Sequence, residues 1–162
     1  MRIRNESTLF MLLVIAALTL QLVPWPESAS PFKPWFLGMV VAYFTLESPG
    51  RISLGLAFLL GLGADLLTGV LFGENAFRLT ILVYILLRFR YRLRFFPLWQ
   101  QTAAIGAIFL NDRVLTVWLR MLGNYGWPPT EFWLAPLSAM MLWPLLFLAL
   151  DRMRRRSRGR AL

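Results

Sequence analysis

The chain contains neither cysteine nor histidine. Without cysteine it can form no disulfide, no thiolate metal site and no thiol nucleophile. Without histidine it lacks the usual proton shuttle of enzymes and the commonest metal ligand. The sequence also shows no serine–base pair, no carboxylate dyad at a fixed spacing and no phosphate-binding glycine loop. We therefore expect a protein that is not an enzyme and that holds no metal and no cofactor.

Acidic residues and lysine are scarce as well. Eight acidic residues stand against 17 basic ones, and all the basic residues but Lys33 are arginine, which gives a net charge of +9. The chain is 58% hydrophobic with a mean hydropathy of +0.60, which is too apolar for a soluble domain of this length. The first apolar run, Thr8 to Val23, is followed by Pro-Trp-Pro and not by a small-residue cleavage site, so we expect it to be retained.

The basic residues divide the chain into three apolar stretches, each interrupted near its middle by proline or glycine. Because lysine and arginine collect in cytoplasmic loops, we expect both termini in the cytoplasm and the three turns outside. Arginine blocks can also indicate nucleic-acid binding, but contact with anionic lipid heads is the stronger interpretation, and we expect no nucleic-acid partner. The clusters are Arg2 and Arg4; Arg51; Arg88, Arg90, Arg92 and Arg94; and Arg152, Arg154, Arg155, Arg156, Arg158 and Arg160.

The predicted fold is all-α, a polytopic membrane protein with six transmembrane helices in three hairpins. One helix over the middle stretch, about 36 residues, would measure about 54 Å against a hydrocarbon core of about 30 Å, so a turn near Gly73 is expected. Spans two and four have short apolar parts and must include polar flanks or be partly re-entrant. The integral membrane domain covers 1–151, a basic cytoplasmic tail covers 152–162, and the spans lie at roughly 8–23, 35–47, 52–72, 76–91, 102–122 and 132–150.

Tryptophans fit this frame. An aromatic belt at the membrane surfaces would contain Trp99 on the inner side and Trp25, Trp35, Trp127 and Trp133 on the outer side. The remaining two fall inside spans, and we expect them to pack against other helices: Trp118 and Trp143.

Small residues and one aspartate recur every four positions along the third predicted span. We call this set the seam: Ala57, Gly61, Asp65, Gly69 and Gly73. Small residues let a second helix approach closely in lipid, so the seam predicts helix packing or a docked partner helix. An aspartate at mid-span is costly to insert and needs a partner. We expect that partner to be Arg78, with Arg113 as the competitor.

Five charged residues fall within or near the apolar spans: Asp65, Arg78, Asp112, Arg113 and Arg120. Consecutive helical residues do not face each other, so Asp112 and Arg113 should each turn to another helix or to a wet cavity. Glu74 and Arg78 stand at i, i+4 spacing and could pair at the surface. Two interpretations stay open. The charges either form internal ion pairs that fix helix packing, which we favour, or line a substrate or proton path.

Several segments resemble the bacterial rod shape-determining MreD family, and together they cover nearly the whole chain. The most specific are the proline-rich turn, with Pro24, Trp25, Pro26, Pro31 and Pro34, and the stretch from Gly63 to Gly69 with Gly73 after it. Leu98-Trp99-Gln100-Gln101 and Leu142-Trp143-Pro144 also match. The resemblance assigns a characteristic motif to Asp65, Gly69 and Gly73, a hinge to the proline-rich turn, and no catalytic residue.

The resemblance implies a non-enzymatic subunit of the cell-elongation machinery in the bacterial cytoplasmic membrane. It would scaffold MreC, its direct partner, and regulate lateral peptidoglycan synthesis. MreB, RodA and the elongation penicillin-binding transpeptidase would belong to the same complex, membrane lipids would surround it, and self-association stays open. The implied fold is similar to the substrate-binding S components of ECF transporters.

Two alternatives remain. The first is a small-molecule or lipid-binding membrane transport subunit like an ECF S component, although Ala16 and Ala17 are adjacent and do not form the Ala-x-x-x-Ala pattern by which S components dock. The second, an intramembrane enzyme that uses Asp65 or Asp112, has the least support, because no histidine, cysteine or paired acid accompanies either residue.

Overall fold

The computed structural model describes residues 2–48 and 50–159 of the chain. These residues form six α-helices joined by turns, with two short 3-10 helices at Ser30–Phe32 and Thr130–Leu134 and no strand. The predicted all-α class is confirmed. The α-helices are α1 (Arg2–Leu22), α2 (Phe36–Glu47), α3 (Leu54–Thr68), α4 (Glu74–Phe95), α5 (Leu98–Leu122) and α6 (Ala135–Gly159).

Helix α2 forms the centre of the bundle. Every residue from Leu37 to Leu46 is buried, as expected for a helix that is apolar on all sides. It packs against α1, α4 and α6, while the outer helices contact one another in the order α1, α3, α4, α5, α6 and back to α1. Consecutive helices touch in each predicted hairpin, but the arrangement in three hairpins stays a prediction.

The outer helices turn large apolar side chains away from the core. Examples are Met11 on α1, Leu66 on α3, Tyr84 on α4, Trp118 on α5 and Met141 on α6. Soluble monomers rarely expose so much apolar surface. Two helical segments, Leu98–Leu122 and Thr130–Arg156, are long and apolar enough to cross a membrane. The molecule is therefore consistent with a membrane protein, and the crossing of all six helices stays a prediction.

Ion pairs tie several chain segments together at one end of the bundle, which we call the basic end. Arg51 contacts Glu6 at 3.1 Å. Glu47 contacts Arg154 at 3.1 Å and Arg94 at 4.0 Å. The start of α1, the connection from α2 to α3, and the last turns of α4 and α6 are thus neighbours. Three of the arginines that were predicted to face the cytoplasm share this end, one from each of three clusters: Arg51, Arg94 and Arg154.

Helix α3 is shorter than predicted. It ends at Thr68, because Gly69 adopts a left-handed conformation with φ of +64° as its C-cap, a geometry that glycine reaches without strain. Gly73 is left-handed too, with φ of +97°, and α4 begins immediately after it. The prediction of one helix over 52–72 is therefore wrong at its end. Gly69 and Gly73 belong to a turn and do not continue the helical face of the seam.

The first part of the seam packs inside the molecule. Ala57, Gly61 and Asp65 are buried, and a Cβ atom on Gly61 would lie only 2.2 Å from the Cα atom of Ala76 in α4. At Gly61, helices α3 and α4 are thus too close together for any residue but glycine. This face of α3 is already occupied by the chain itself.

Alanine at Gly61 should therefore destabilise the bundle. Gly61→Ala forces a backbone clash, and overpacking costs about 1–3 kcal/mol, so we expect a lower Tm for the purified protein in detergent. Gly63→Ala is the matched control, because Gly63 faces open space and alanine gains about 1 kcal/mol of helix propensity. Equal Tm values for the two variants would contradict the close α3–α4 contact.

Candidate functional site

Three turns of the chain meet at the end of the bundle opposite the basic end, which we call the turn end. Segment 27–31 and segment 129–132 line one cavity of about 390 Å³. The turn after α3 and Tyr125 line a second cavity of about 250 Å³. The same turn, with Gln21 and Lys33, lines a third cavity of about 210 Å³. Arg120 lines all three cavities, and Arg113 lines the first and the third.

Asp65, on α3, caps the start of α4. Its Oδ1 atom accepts a hydrogen bond from the backbone N–H of Asn75 at 2.8 Å, and its Oδ2 atom accepts from Gly73 at 2.9 Å and from Ala76 at 3.4 Å. The first N–H groups of a helix have no partner within it, and Gly73 has no side chain to supply one. The positive end of the α4 dipole also stabilises the buried carboxylate.

Arg78 binds Asp112 of α5 and not Asp65. Its Nε donates to Oδ1 of Asp112 at 2.7 Å, and its Nη2 donates to Oδ2 at 2.6 Å, in a buried bidentate pair. Such paired hydrogen bonds are among the strongest between side chains. The predicted Asp65–Arg78 pair is wrong, and so is the competing Asp65–Arg113 pair, because the amides of α4 already occupy the Asp65 carboxylate.

Two further groups surround the Arg78 guanidinium. Its Cζ atom lies 4.1 Å from the ring centroid of Trp35, within range of a cation–π interaction, and its Nη1 lies 3.6 Å from Glu74. Glu74 is only 4% exposed and Trp35 only 5%. The predicted Glu74–Arg78 pair is thus formed, but in the interior, and Trp35 does not belong to a surface belt. Arg78 joins the start of α2 to α4 and α5.

Arg113 and Arg120 turn away from Asp112, as predicted for Arg113. The Arg113 guanidinium lies 4.4 Å from the ring of Phe132, and that of Arg120 lies 5.7 Å from it. Arg120 also approaches Glu74 at 4.0 Å. Within the described part of the chain no carboxylate forms an ion pair with Arg113.

The proline-rich turn lies over these cavities. Pro24, Pro26, Pro31 and Pro34 fall in the segment between α1 and α2, where the only regular structure is the first 3-10 helix. The Lys33 Nζ donates to the backbone carbonyls of residues 21 and 23, and partial burial lowers the pKa of this lysine. Trp25, the fifth residue of the predicted hinge, is partly buried beside the Phe36 ring.

The predicted charged residues therefore separate into two groups. Arg78, Asp112, Arg113 and Arg120 converge on the turn end around Glu74, and Asp65 sits beside them as a cap. The sequence did not predict that Glu74, Trp35 and Phe132 contact these arginines in the interior. The one signal for such a contact is the i, i+4 spacing of Glu74 and Arg78. Both Trp118 and Trp143 were predicted to pack against other helices. Trp143 is fully buried, as predicted, but Trp118 is 69% exposed. Within residues 2–48 and 50–159, no group of three or more acidic residues could hold a metal.

Comparison with known proteins supports the resemblance seen in the sequence. Residues 1–153 match the family described as rod shape-determining protein MreD. The chain is 31% identical over 142 residues to the rod shape-determining protein MreD of Haemophilus influenzae, an alignment that covers 88% of each protein. No solved structure matches the chain.

Removal of one partner of the Arg78–Asp112 pair should lower the stability of the protein more than removal of both partners. Arg78→Met leaves Asp112 as an unpaired buried charge, and Asp112→Leu leaves Arg78 only its longer contact with Glu74. Breaking a buried pair typically costs about 3–5 kcal/mol, whereas apolar replacement of a whole buried pair is often neutral. We expect each single variant to lower the Tm in detergent, and the double variant to lose much less than the sum. Arg155→Met breaks the exposed Arg155–Asp151 pair at 2.8 Å and should change little. Additive losses in the double variant would contradict the pairing.

Proposed function

The chain belongs to the MreD family of rod shape-determining proteins, and we propose that it is a non-enzymatic membrane subunit of the complex that elongates rod-shaped bacterial cells. The family match over residues 1–153 is the observation that carries this proposal. The apolar outer surface of the bundle supports a location within the cytoplasmic membrane.

The proposed topology has six spans, with both termini in the cytoplasm and the turn end outside. Arg94 near the end of α4 and Arg154 near the end of α6 belong to the basic end, which supports a cytoplasmic position by the positive-inside rule. At the turn end the connections hold only Lys33 as a basic residue. The domain then covers 1–151, and the basic tail at 152–162 extends into the cytoplasm.

A structural role for the buried charges supports a protein without catalysis. Both carboxylate oxygens of Asp65 accept backbone N–H groups, and both oxygens of Asp112 accept from one guanidinium. A general base must be directed at its substrate, whereas these carboxylates are directed at donors at the start of α4 and on Arg78. We therefore propose that these groups hold helices together.

Within the complex, we propose that the bundle binds the single transmembrane helix of MreC along the outer face of α3. The seam faces α4, so the opposite face of α3 is the one available. There Gly55 and Gly63 have open space beyond their Cα atoms, and Leu59 and Leu66 are exposed. Two glycines on a lipid-facing surface allow a second helix to approach closely. MreC would thereby be held where its external domain influences RodA and the transpeptidase that act with MreB.

Depletion of the protein tests the proposed function as a whole. In the bacterium that encodes it, cells should lose their rod shape and become rounder within a few generations, as light microscopy would measure. Re-expression of the wild-type chain should restore rods. Depleted cells that keep their length and width would contradict a role in elongation.

Substitutions on α3 test the docking face separately. Gly55→Leu with Gly63→Leu should reduce the recovery of MreC with the affinity-tagged protein about tenfold or more, because two leucines fill the space that a partner helix would enter. Ala103→Leu with Ala107→Leu on the exposed face of α5 is the matched control and should leave recovery unchanged. Equal recovery from both double variants would exclude docking on α3 while the role in elongation stands.

A further inference from the structure

Among residues 2–48 and 50–159, Arg113 forms no ion pair, although it lies well inside the last apolar helix hairpin. It stands nine positions before the end of α5 at Leu122, about 14 Å along the helix axis. Its guanidinium lies 4.4 Å from the Phe132 ring, and the carboxylate of the preceding residue, Asp112, is held by Arg78. A buried or half-buried cation without a carboxylate is costly. An anion from outside the chain would remove that cost.

The cavity beside Arg113 is large enough for such a ligand, at about 390 Å³. Small-ligand sites typically measure about 300–1,000 Å³. Arg113, Arg120 and Phe132 contribute one part of its lining, and Glu27 and Glu131 contribute another. Neither glutamate forms an ion pair with a described residue. The cavity thus presents both signs of charge, and its cations and anions do not neutralise one another.

We propose that this cavity binds the headgroup of a zwitterionic phospholipid, with the phosphate on Arg113 and Arg120 and the ammonium on Glu27 and Glu131. The planar guanidinium presents paired donors that match a phosphate. The carboxylates accept hydrogen bonds from an ammonium group such as that of ethanolamine. An anionic lipid or an acidic peptide would satisfy the arginines but would bring its negative charge close to two glutamates.

The position of the cavity favours a lipid over a soluble zwitterion. It opens at the turn end, between the proline-rich turn and the second 3-10 helix. Phe32, next to the lining residue Pro31, is exposed and would contact the acyl chains. The proposal goes beyond the role in elongation and does not depend on it, since it requires only that the turn end lie at the membrane surface.

Native mass spectrometry of the full chain tests the proposal. The protein would be purified into micelles that contain equal amounts of phosphatidylethanolamine and phosphatidylglycerol. We expect phosphatidylethanolamine to be retained about tenfold over phosphatidylglycerol. Arg113→Gln should reduce this retention at least fivefold, whereas Arg92→Gln, an exposed arginine at the basic end, should leave it unchanged. Arg113→Gln breaks no ion pair, so an unchanged Tm would show that the variant is folded.

A second variant separates the two charges of the ligand. Glu27→Gln with Glu131→Gln should narrow the preference for phosphatidylethanolamine, because the ammonium loses its acceptors while the phosphate keeps both arginines. Equal or greater retention of phosphatidylglycerol by the wild type would overturn the proposal, as would full retention in Arg113→Gln. Binding of free glycerophosphoethanolamine without any lipid retention would refute a lipid ligand. Loss of MreC recovery in Arg113→Gln with unchanged lipid retention would assign the cation to a protein carboxylate instead.

Discussion

The start of helix α4 is the constraint on which the turn end depends, and Asp65 fixes it. The carboxylate on α3 accepts hydrogen bonds from the N–H groups of Gly73 and Asn75. The chain must therefore reverse direction in the short turn between α3 and α4. The close contact of Gly61 with the backbone of Ala76 keeps α3 and α4 tightly packed next to this turn. Because its first residues are fixed, the side chains of the first two turns of α4 project in fixed directions.

That placement brings the buried charges together. Glu74 and Arg78 stand one helical turn apart, and Arg78 reaches both Asp112 on α5 and Trp35 at the start of α2. Low dielectric strengthens these contacts and makes any unpaired member costly. The basic end differs, because Glu47 there pairs with partly exposed Arg94 and with Arg154. The interior of the turn end is thus fixed by charge, while its cavities keep Arg113 accessible.

Much of the fold could be predicted from the sequence, since long apolar runs between arginine clusters indicate helices whatever their packing. The ends were harder. Gly69 and Gly73 continue a four-residue spacing that fits a helix equally well. The turn near Gly73 was predicted, but the end of α3 at Thr68 was not. The partner of Asp65 could not be predicted, because backbone N–H groups at a helix start have no residue type of their own. The Arg78–Asp112 pair joins positions 34 apart in the chain, and it depends on how α4 and α5 pack. The same limit applies to Trp118, whose exposure follows from the side of α5 that faces the bundle.

The role of Asp65 can be measured directly by hydrogen exchange of individual backbone amides in the detergent-solubilised protein. In Asp65→Asn, the side chain loses its charge and one of its acceptor oxygens. The account predicts faster exchange at Gly73, Asn75 and Ala76, while Asp151→Asn at the basic end leaves these three amides unchanged. Wild-type protection of all three amides in Asp65→Asn would contradict the account.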